Sequence, residues 1–364
     1  MTGGADFGGG IWDLIAGGTQ RGSGPRQVIA GAMGPVWEAN HVWLILDLVL
    51  LWTAFPAAFG AIMSALFTPL SLIALGIVLR GAGFAFRKSL HRTRLEQIAG
   101  AIFASSSLVT PFFFGAAAGA VVTGRVTAAG TGNRLASWTS PTCLLLGALA
   151  VAAFAYLAGA YLTVAASKRQ PDLVRYFTRR ALAAGVATGA LGAASLVALH
   201  HSAPRTFSNL TTGDGLPLLI VSVLLGVTVL GLLLAGITRA VRFLAAGAFT
   251  AMIWGWGVAQ YPDLLPGSLT LHAGAAPSAS LITEIVIVGI VAVLVAPSFV
   301  LLYWLAQRNL LAEDDASGAA LLASLNAAGQ PGQAQIQSAR SRWPKVTLAA
   351  VAVLVYEATR RHRR

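Results

Sequence analysis

The chain has 364 residues, of which 56% are hydrophobic and only 10% charged, with 25 Lys and Arg against 13 Asp and Glu. A soluble domain carries roughly a quarter charged residues, so a globule of this size lacks the polar skin that water requires. A cytosolic enzyme is thereby excluded, and with a mean hydropathy of +0.72 the sequence reads as an integral membrane protein.

A membrane-crossing helix takes about 20 mostly apolar residues, and eight segments qualify: 37–63, 69–86, 98–123, 141–166, 181–200, 217–237, 243–261 and 282–305. Leu, Ala, Val and Gly dominate them without period-2 alternation, which predicts helices and not barrel strands. The fold class is therefore all-α, a polytopic transmembrane bundle of about eight spans. Gly185, Gly189 and Gly192 are expected to let backbones approach closely. Residues 1–310 form the membrane domain and 311–364 a polar, Ala/Gln/Gly-rich tail. Within that tail Val346–Val355 is apolar but too short to span, and reads as an interfacial anchor. Met1–Gly24 has no basic stretch followed by an apolar core, so no cleavable signal peptide is expected. Cys143, the single cysteine, reads as a small buried hydrophobe.

Charge divides the loops. All Lys and Arg but Arg80, Arg125, Arg134 and Arg205 fall in 21–26, 87–94, 168–180, 239–242 and 308 onward. Basic loops mark the cytoplasmic side, so both ends of the chain, and the tail, are expected inside. Contact with anionic lipid accounts for the +12 net charge without nucleic acid.

Ionisable residues inside lipid are the informative ones. Glu38 opens the first segment in Gly34-Pro35-Val36-Trp37-Glu38-Ala39-Asn40-His41-Val42-Trp43. Helical spacing sets Glu38 and His41 on one face with Asn40 beside them, a set able to hold water and pass protons. The alternative is a first-turn carboxylate facing the helix dipole. Glu-x-x-His also fits a di-iron bundle, but such a site takes two such pairs and two further glutamates, and one pair is visible. Arg80, between Leu79 and Gly81, either snorkels toward the interface or pairs with a buried carboxylate. Asp47 faces roughly away from Glu38, and Glu284 opens the last span. Of the six histidines, His41 falls within a predicted span close to its start, His200 and His201 lie at a helix end, and His91, His272 and His362 fall in loops or the tail, so haem held by two facing helices is poorly supported. Trp138, Trp304, Tyr261 and Tyr303 suit an interfacial aromatic belt.

Four blocks occur in a characteristic order: Asp6-Phe7-Gly8-Gly9-Gly10; Gly34 to Ile45, continuing to Trp52-Thr53-Ala54-Phe55-Pro56; Ile77-Val78-Leu79-Arg80-Gly81-Ala82-Gly83-Phe84-Ala85-Phe86-Arg87; and Gln260-Tyr261-Pro262-Asp263-Leu264-Leu265-Pro266-Gly267-Ser268-Leu269-Thr270. Together they resemble subunit II of the cytochrome bd-type quinol oxidases, from residue 3 to about 308. The resemblance implies two pseudosymmetric four-helix-bundle halves, and a heterodimer with subunit I in the bacterial cytoplasmic membrane. That complex oxidises quinol and reduces O2 to water in aerobic electron transport. Haems b and d would belong to subunit I, and this chain would bind no cofactor directly. The resemblance leaves room for a structural quinone and a small accessory subunit. Glu38 and Asp6 match acids of a proton route from the cytoplasm, which His41 and Asn40 would line. Trp37, Asn40, Trp43, Arg80, Gly83 and Phe84 match motif positions that position and pair.

The chain also departs from this pattern. Relatives carry a full apolar helix before the Asp6 motif, where only four residues precede Ala5 here. Asp47, Glu284 and the tail after residue 310 carry no family role. A secondary transporter would place polar residues midway along several spans, whereas the interior charges here are few and mostly terminal. A purely structural scaffold, in which Glu38 is replaceable, is the other alternative.

Overall fold

The computed structural model describes residues 2–18, 22–89, 94–131 and 133–307, with only the backbone at 2, 33–41, 84–89, 94–99, 296 and 299–307. The proposed tail of 311–364 and its interfacial segment lie outside the described residues. Contacts divide the chain after Ile290. The described part of the second unit, 291–307, belongs to the final helix.

The helices are α1 (Thr2–Leu14), α2 (Ser23–Ala54), α3 (Pro56–Ala65), α4 (Phe67–Ser89), α5 (Arg94–Val122), α6 (Pro141–Arg169), α7 (Val174–Ser202), α8 (Pro204–Thr211), α9 (Leu216–Leu234), α10 (Val241–Gln260), α11 (Leu271–Gly274) and α12 (Ser278–Gln307). A short hairpin, β1 (Asp263–Leu265) with β2 (Leu269–Thr270), precedes α11. Among the described residues six helices are long and apolar enough to cross a membrane. A seventh crossing arises if the bent pair Val42–Ala54 and Pro56–Ala65 is one span, and Phe67–Gly83 is a shorter apolar helix. The all-α polytopic bundle is as expected, and the expected count of about eight is approximate.

The first expected span, 37–63, is not one rod. Its two parts meet at 116°, because Pro56 has no N–H to continue the ladder and disfavours helical geometry at the residue before it. Phe55 accordingly sits at φ −135°, ψ 60°, and Pro56 takes the first position of α3. At its other end α2 begins at Ser23, well ahead of the expected start, and carries Pro35 within it. The end of α9 is equally local in origin. Gly236, at φ +72°, lets Ile237 N–H reach Leu232 O and its own N–H reach Leu233 O, satisfying carbonyls the helix would leave open.

The hub is α6, which packs on α1, α5, α7 and α10. It does so through small residues: Ala158 and Ala160 are fully buried, and Gly159 lies against Ala181 of α7. Gly115 and Gly119 on α5 meet Leu146, Gly147 and Cys143 on α6 at backbone contact. Helices in lipid gain from such close approach, since burial of apolar surface gives little there. Cys143 is buried, as expected. Of the three glycines expected to mediate packing on α7, Gly185 does, against Leu230 and Tyr156, but Gly189 and Gly192 face open space. Their spacing alone did not distinguish a packed face from an unpacked one. Little of α12 is covered: Ile282, Ile285, Ile287 and Ile290 are more than half exposed.

Candidate functional site

The Gly-rich block around Asp6 is the helix α1, inserted against α5 and α6. Glycine is what permits this depth. A Cβ at Gly8 would fall on the Phe154 carbonyl of α6, and one at Gly10 on the Ser107 hydroxyl and the Arg80 guanidinium. Phe7 stacks on Phe154 at 6.4 Å between centroids. Trp12 Nε1 donates to the Ala155 carbonyl at 2.8 Å.

This seating brings Asp6 to Arg80. Arg80 Nη2 donates to Asp6 Oδ1 and to the Asp6 carbonyl, both at 2.7 Å. Arg80 Nη1 donates to the Ser107 hydroxyl, which in turn donates to Phe103 O at 2.6 Å. The guanidinium also lies 4.8 Å from the Phe7 ring centre and 4.3 Å from that of Phe103. The Arg80 side chain is 0% exposed and that of Asp6 2%. Of the two readings of Arg80, snorkelling is overturned and the buried carboxylate pair stands. A paired charge is what the physics of the interior demands, because an isolated one costs several kcal/mol. Gly76 of α4, one turn before Arg80, leaves room for the Thr110 hydroxyl of α5, and Gly83 is buried.

A second ion pair, which sequence reading missed, closes the other end of α1. Arg26 Nε lies 3.0 Å from Asp13 Oδ1, with Asp13 4% exposed, and Arg26 Nη2 donates to the Gly17 carbonyl at 2.6 Å. The signal was present in the sequence as an acid one residue past an Ile-Trp pair and a base soon after.

Trp37, Glu38, Asn40 and His41 lie on the α2 backbone, and their side chains, with that of Phe84, fall outside the described residues. Their helical position is nonetheless informative. Glu38 stands 15 residues into α2, counted from Ser23, so the alternative of a first-turn carboxylate facing the helix dipole is overturned, since that effect fades within one turn. Trp43, also on α2, is 40% exposed. Asp47 is exposed on the same helix. The Thr53 hydroxyl at the end of α2 donates to Glu284 Oε1 of α12 at 2.6 Å, so Glu284 ties two helices together.

Among the described residues no group of three or more His, Cys, Asp and Glu is placed to hold a metal ion. His200 and His201 are neighbours at the end of α7, their rings 5.2 Å apart, with His200 against Phe207 at 4.8 Å. They do not face each other across a gap that could take a planar cofactor.

Comparison with known proteins agrees with this architecture. The solved bd oxidase from Geobacillus thermodenitrificans superposes with a TM-score of 0.66 over 84% of this chain and 92% of that one, at 21% identity, which speaks to the fold. The cytochrome bd ubiquinol oxidase subunit 2 of Bacillus subtilis (strain 168) is 29% identical over 90 residues, 25% of this chain and 27% of that protein. The cytochrome bd-I ubiquinol oxidase subunit 2 of Escherichia coli (strain K12) is 27% identical over 124 residues, 34% of this chain and 32% of the relative. The chain thus aligns with about a third or less of the length of these curated relatives. The family model described as cytochrome bd terminal oxidase subunit II, by contrast, matches residues 1–306. The chain belongs to the cytochrome bd terminal oxidase subunit II family.

Proposed function

We propose that the chain is the haem-free scaffold and proton conduit of a bacterial quinol:O2 oxidoreductase, docked on a haem-bearing subunit I. The complex oxidises quinol and reduces O2 to water. Haems b and d belong to subunit I, and the basic loops and tail of this chain face the cytoplasm. Protons enter along a route lined by Glu38, Asn40 and His41 on α2 and by Asp6 on α1, while Trp37, Trp43, Gly83 and Phe84 position these groups. The observation that carries this reading is the buried Asp6–Arg80 pair. A motif acid lies deep in an apolar bundle, its carboxylate oriented by Arg80, where a bare scaffold would carry an apolar residue at lower cost.

In this reading Glu38 accepts a proton at a carboxylate oxygen and passes it along water held by the Asn40 amide and the His41 imidazole. Arg80 holds the Asp6 carboxylate in one orientation and keeps its charge compensated. The test is Glu38→Gln in the assembled complex, with quinol-driven O2 uptake as the readout and the partner's visible absorption as the control for assembly. Loss of a positioned acid–base group costs about a hundredfold or more where it limits the rate, so turnover should fall at least about tenfold with the absorption spectrum unchanged. Undiminished turnover would remove Glu38 from any proton route and leave a scaffold alone.

A further inference from the structure

The fourth sequence block, Gln260–Thr270, takes no part in the site described above. Its residues form the end of α10 and the β1–β2 hairpin. The Gln260 side chain fastens it, with Oε1 accepting from Trp256 Nε1 at 2.8 Å and Nε2 donating to the Leu264 carbonyl at 3.0 Å. The hairpin forms one wall of a cleft of about 260 Å3. Gly124, just past α5, and the α7–α8 corner from Ser202 to Thr206 form the others.

Three features of this cleft converge on an anion. First, α8 begins at Pro204 behind Ala203, which offers no side-chain cap. Pro204 has no N–H, so the Arg205 and Thr206 amides are the orphan donors of that helix end. Second, Thr206 is 6% exposed and lines the cleft, and its hydroxyl has no hydrogen-bond partner among the described residues. Its donor and acceptor capacity is therefore left to whatever occupies the cleft. Third, the Arg205 guanidinium lies at the rim, 69% exposed, and spends one donor on Asp263 Oδ2 at 3.1 Å. Four of its five N–H groups are left over.

Location selects the anion. Val122, Ser202 and Gln260 are the last residues of three membrane-crossing helices, and all three line the cleft. It therefore lies where hydrocarbon gives way to headgroups, and Tyr261, 60% exposed, suits that level. The volume suits a headgroup better than a drug-sized ligand. The geometry points to a phosphate-binding site, in which the phosphate oxygens accept from the Arg205 and Thr206 amides, the Thr206 hydroxyl and the free edge of Arg205. Asp263 holds the guanidinium in place and keeps the rim from being a bare positive charge. The phosphate can come from a membrane phospholipid or from water, and the two sources share this chemistry.

The test uses the full chain, purified in detergent with its copurifying subunits and stripped of lipid. Dioleoyl phosphatidylglycerol, phosphate-free dioleoylglycerol and inorganic phosphate are the probes, and native mass spectrometry and the Tm shift are the readouts. Wild type should take up the phospholipid in preference to dioleoylglycerol. Thr206→Val, close in shape and leaving the Asp263 pair intact, should weaken that uptake about tenfold, the worth of one hydrogen bond to a charged group. Arg205→Gln should weaken it by at least as much. Competition by millimolar inorganic phosphate would identify a water-borne occupant, and failure to compete would identify the lipid. Equal uptake of the phosphate-free lipid, or unchanged uptake in both variants, overturns the site.

Discussion

Removing Arg80 tests whether the interior of this bundle is organised by one ion pair. Arg80→Met preserves much of the side-chain volume but takes the cation from Asp6, whose side chain is 2% exposed. Truncating one partner of a buried pair costs about 3–5 kcal/mol. Asp6→Asn is the milder perturbation. Arg80 keeps the Asp6 main-chain carbonyl, the Ser107 hydroxyl and the faces of Phe7 and Phe103, and each desolvated cation–ring contact alone is worth about 0.5–2 kcal/mol. The loss there should be about 2 kcal/mol. In the double variant neither charge remains, so its loss should fall short of the sum of the singles by more than about 2 kcal/mol. Large membrane proteins commonly unfold irreversibly, so the measurement is the thermal midpoint of the purified protein in one detergent at one scan rate. The expected order is wild type above Asp6→Asn, with Arg80→Met lowest and the double variant above Arg80→Met. Additive losses, or Asp6→Asn below Arg80→Met, would refute the reasoning.

Three further variants probe the close packing of α1 and the clamp at its end. Gly8→Val drives a branched side chain into the Phe154 carbonyl and should expel α1 or prevent accumulation of the protein. Overpacking ordinarily costs about 1–3 kcal/mol and more where backbone is struck; Gly189→Ala, in open space on α7, should leave the midpoint unchanged or raise it. Arg26→Gln removes the clamp on Asp13 and Gly17. With that guanidinium a quarter exposed, the loss should be about 1 kcal/mol, read as faster proteolysis between α1 and α2 with α4–α6 still protected.

Much of the architecture was legible because lipid imposes a simple demand. Every backbone polar group must be satisfied within its own segment, so apolar runs of sufficient length become helices wherever they fall. The helices α5, α6, α7, α9, α10 and α12 lie where hydropathy put them, to within a few residues at most ends. The first crossing was misread because hydropathy is indifferent to direction. Residues 37–63 are mostly apolar, but the chain turns by 116° between Ala54 and Pro56. Hydropathy also stops at the first polar residues, so it missed the extension of α2 back to Ser23. That extension decides the position of Glu38, which stands mid-helix and not at a dipole end. The 13-residue α1 is too short and too rich in glycine to register as a span. Its burial depends on a close fit to Phe154 and Ser107 that lies in other helices.

The pairing of charge shows where sequence reasoning stops. A base in the apolar run around Arg80 requires compensation, so the existence of a buried carboxylate partner could be inferred from the cost of leaving the charge alone. Its identity could not. Asp6 is 74 positions away, Asp47 is nearer in sequence, and both lie in apolar surroundings. What selects Asp6 is the run Gly8-Gly9-Gly10, which lets α1 approach until a methyl group at Gly10 would strike the guanidinium itself. Asp47, on a helix face left exposed, has no such approach from α4. The glycines that composition alone presents as flexible are therefore the residues that fix which acid the arginine meets, and with it which motif acid is held in the interior of the bundle.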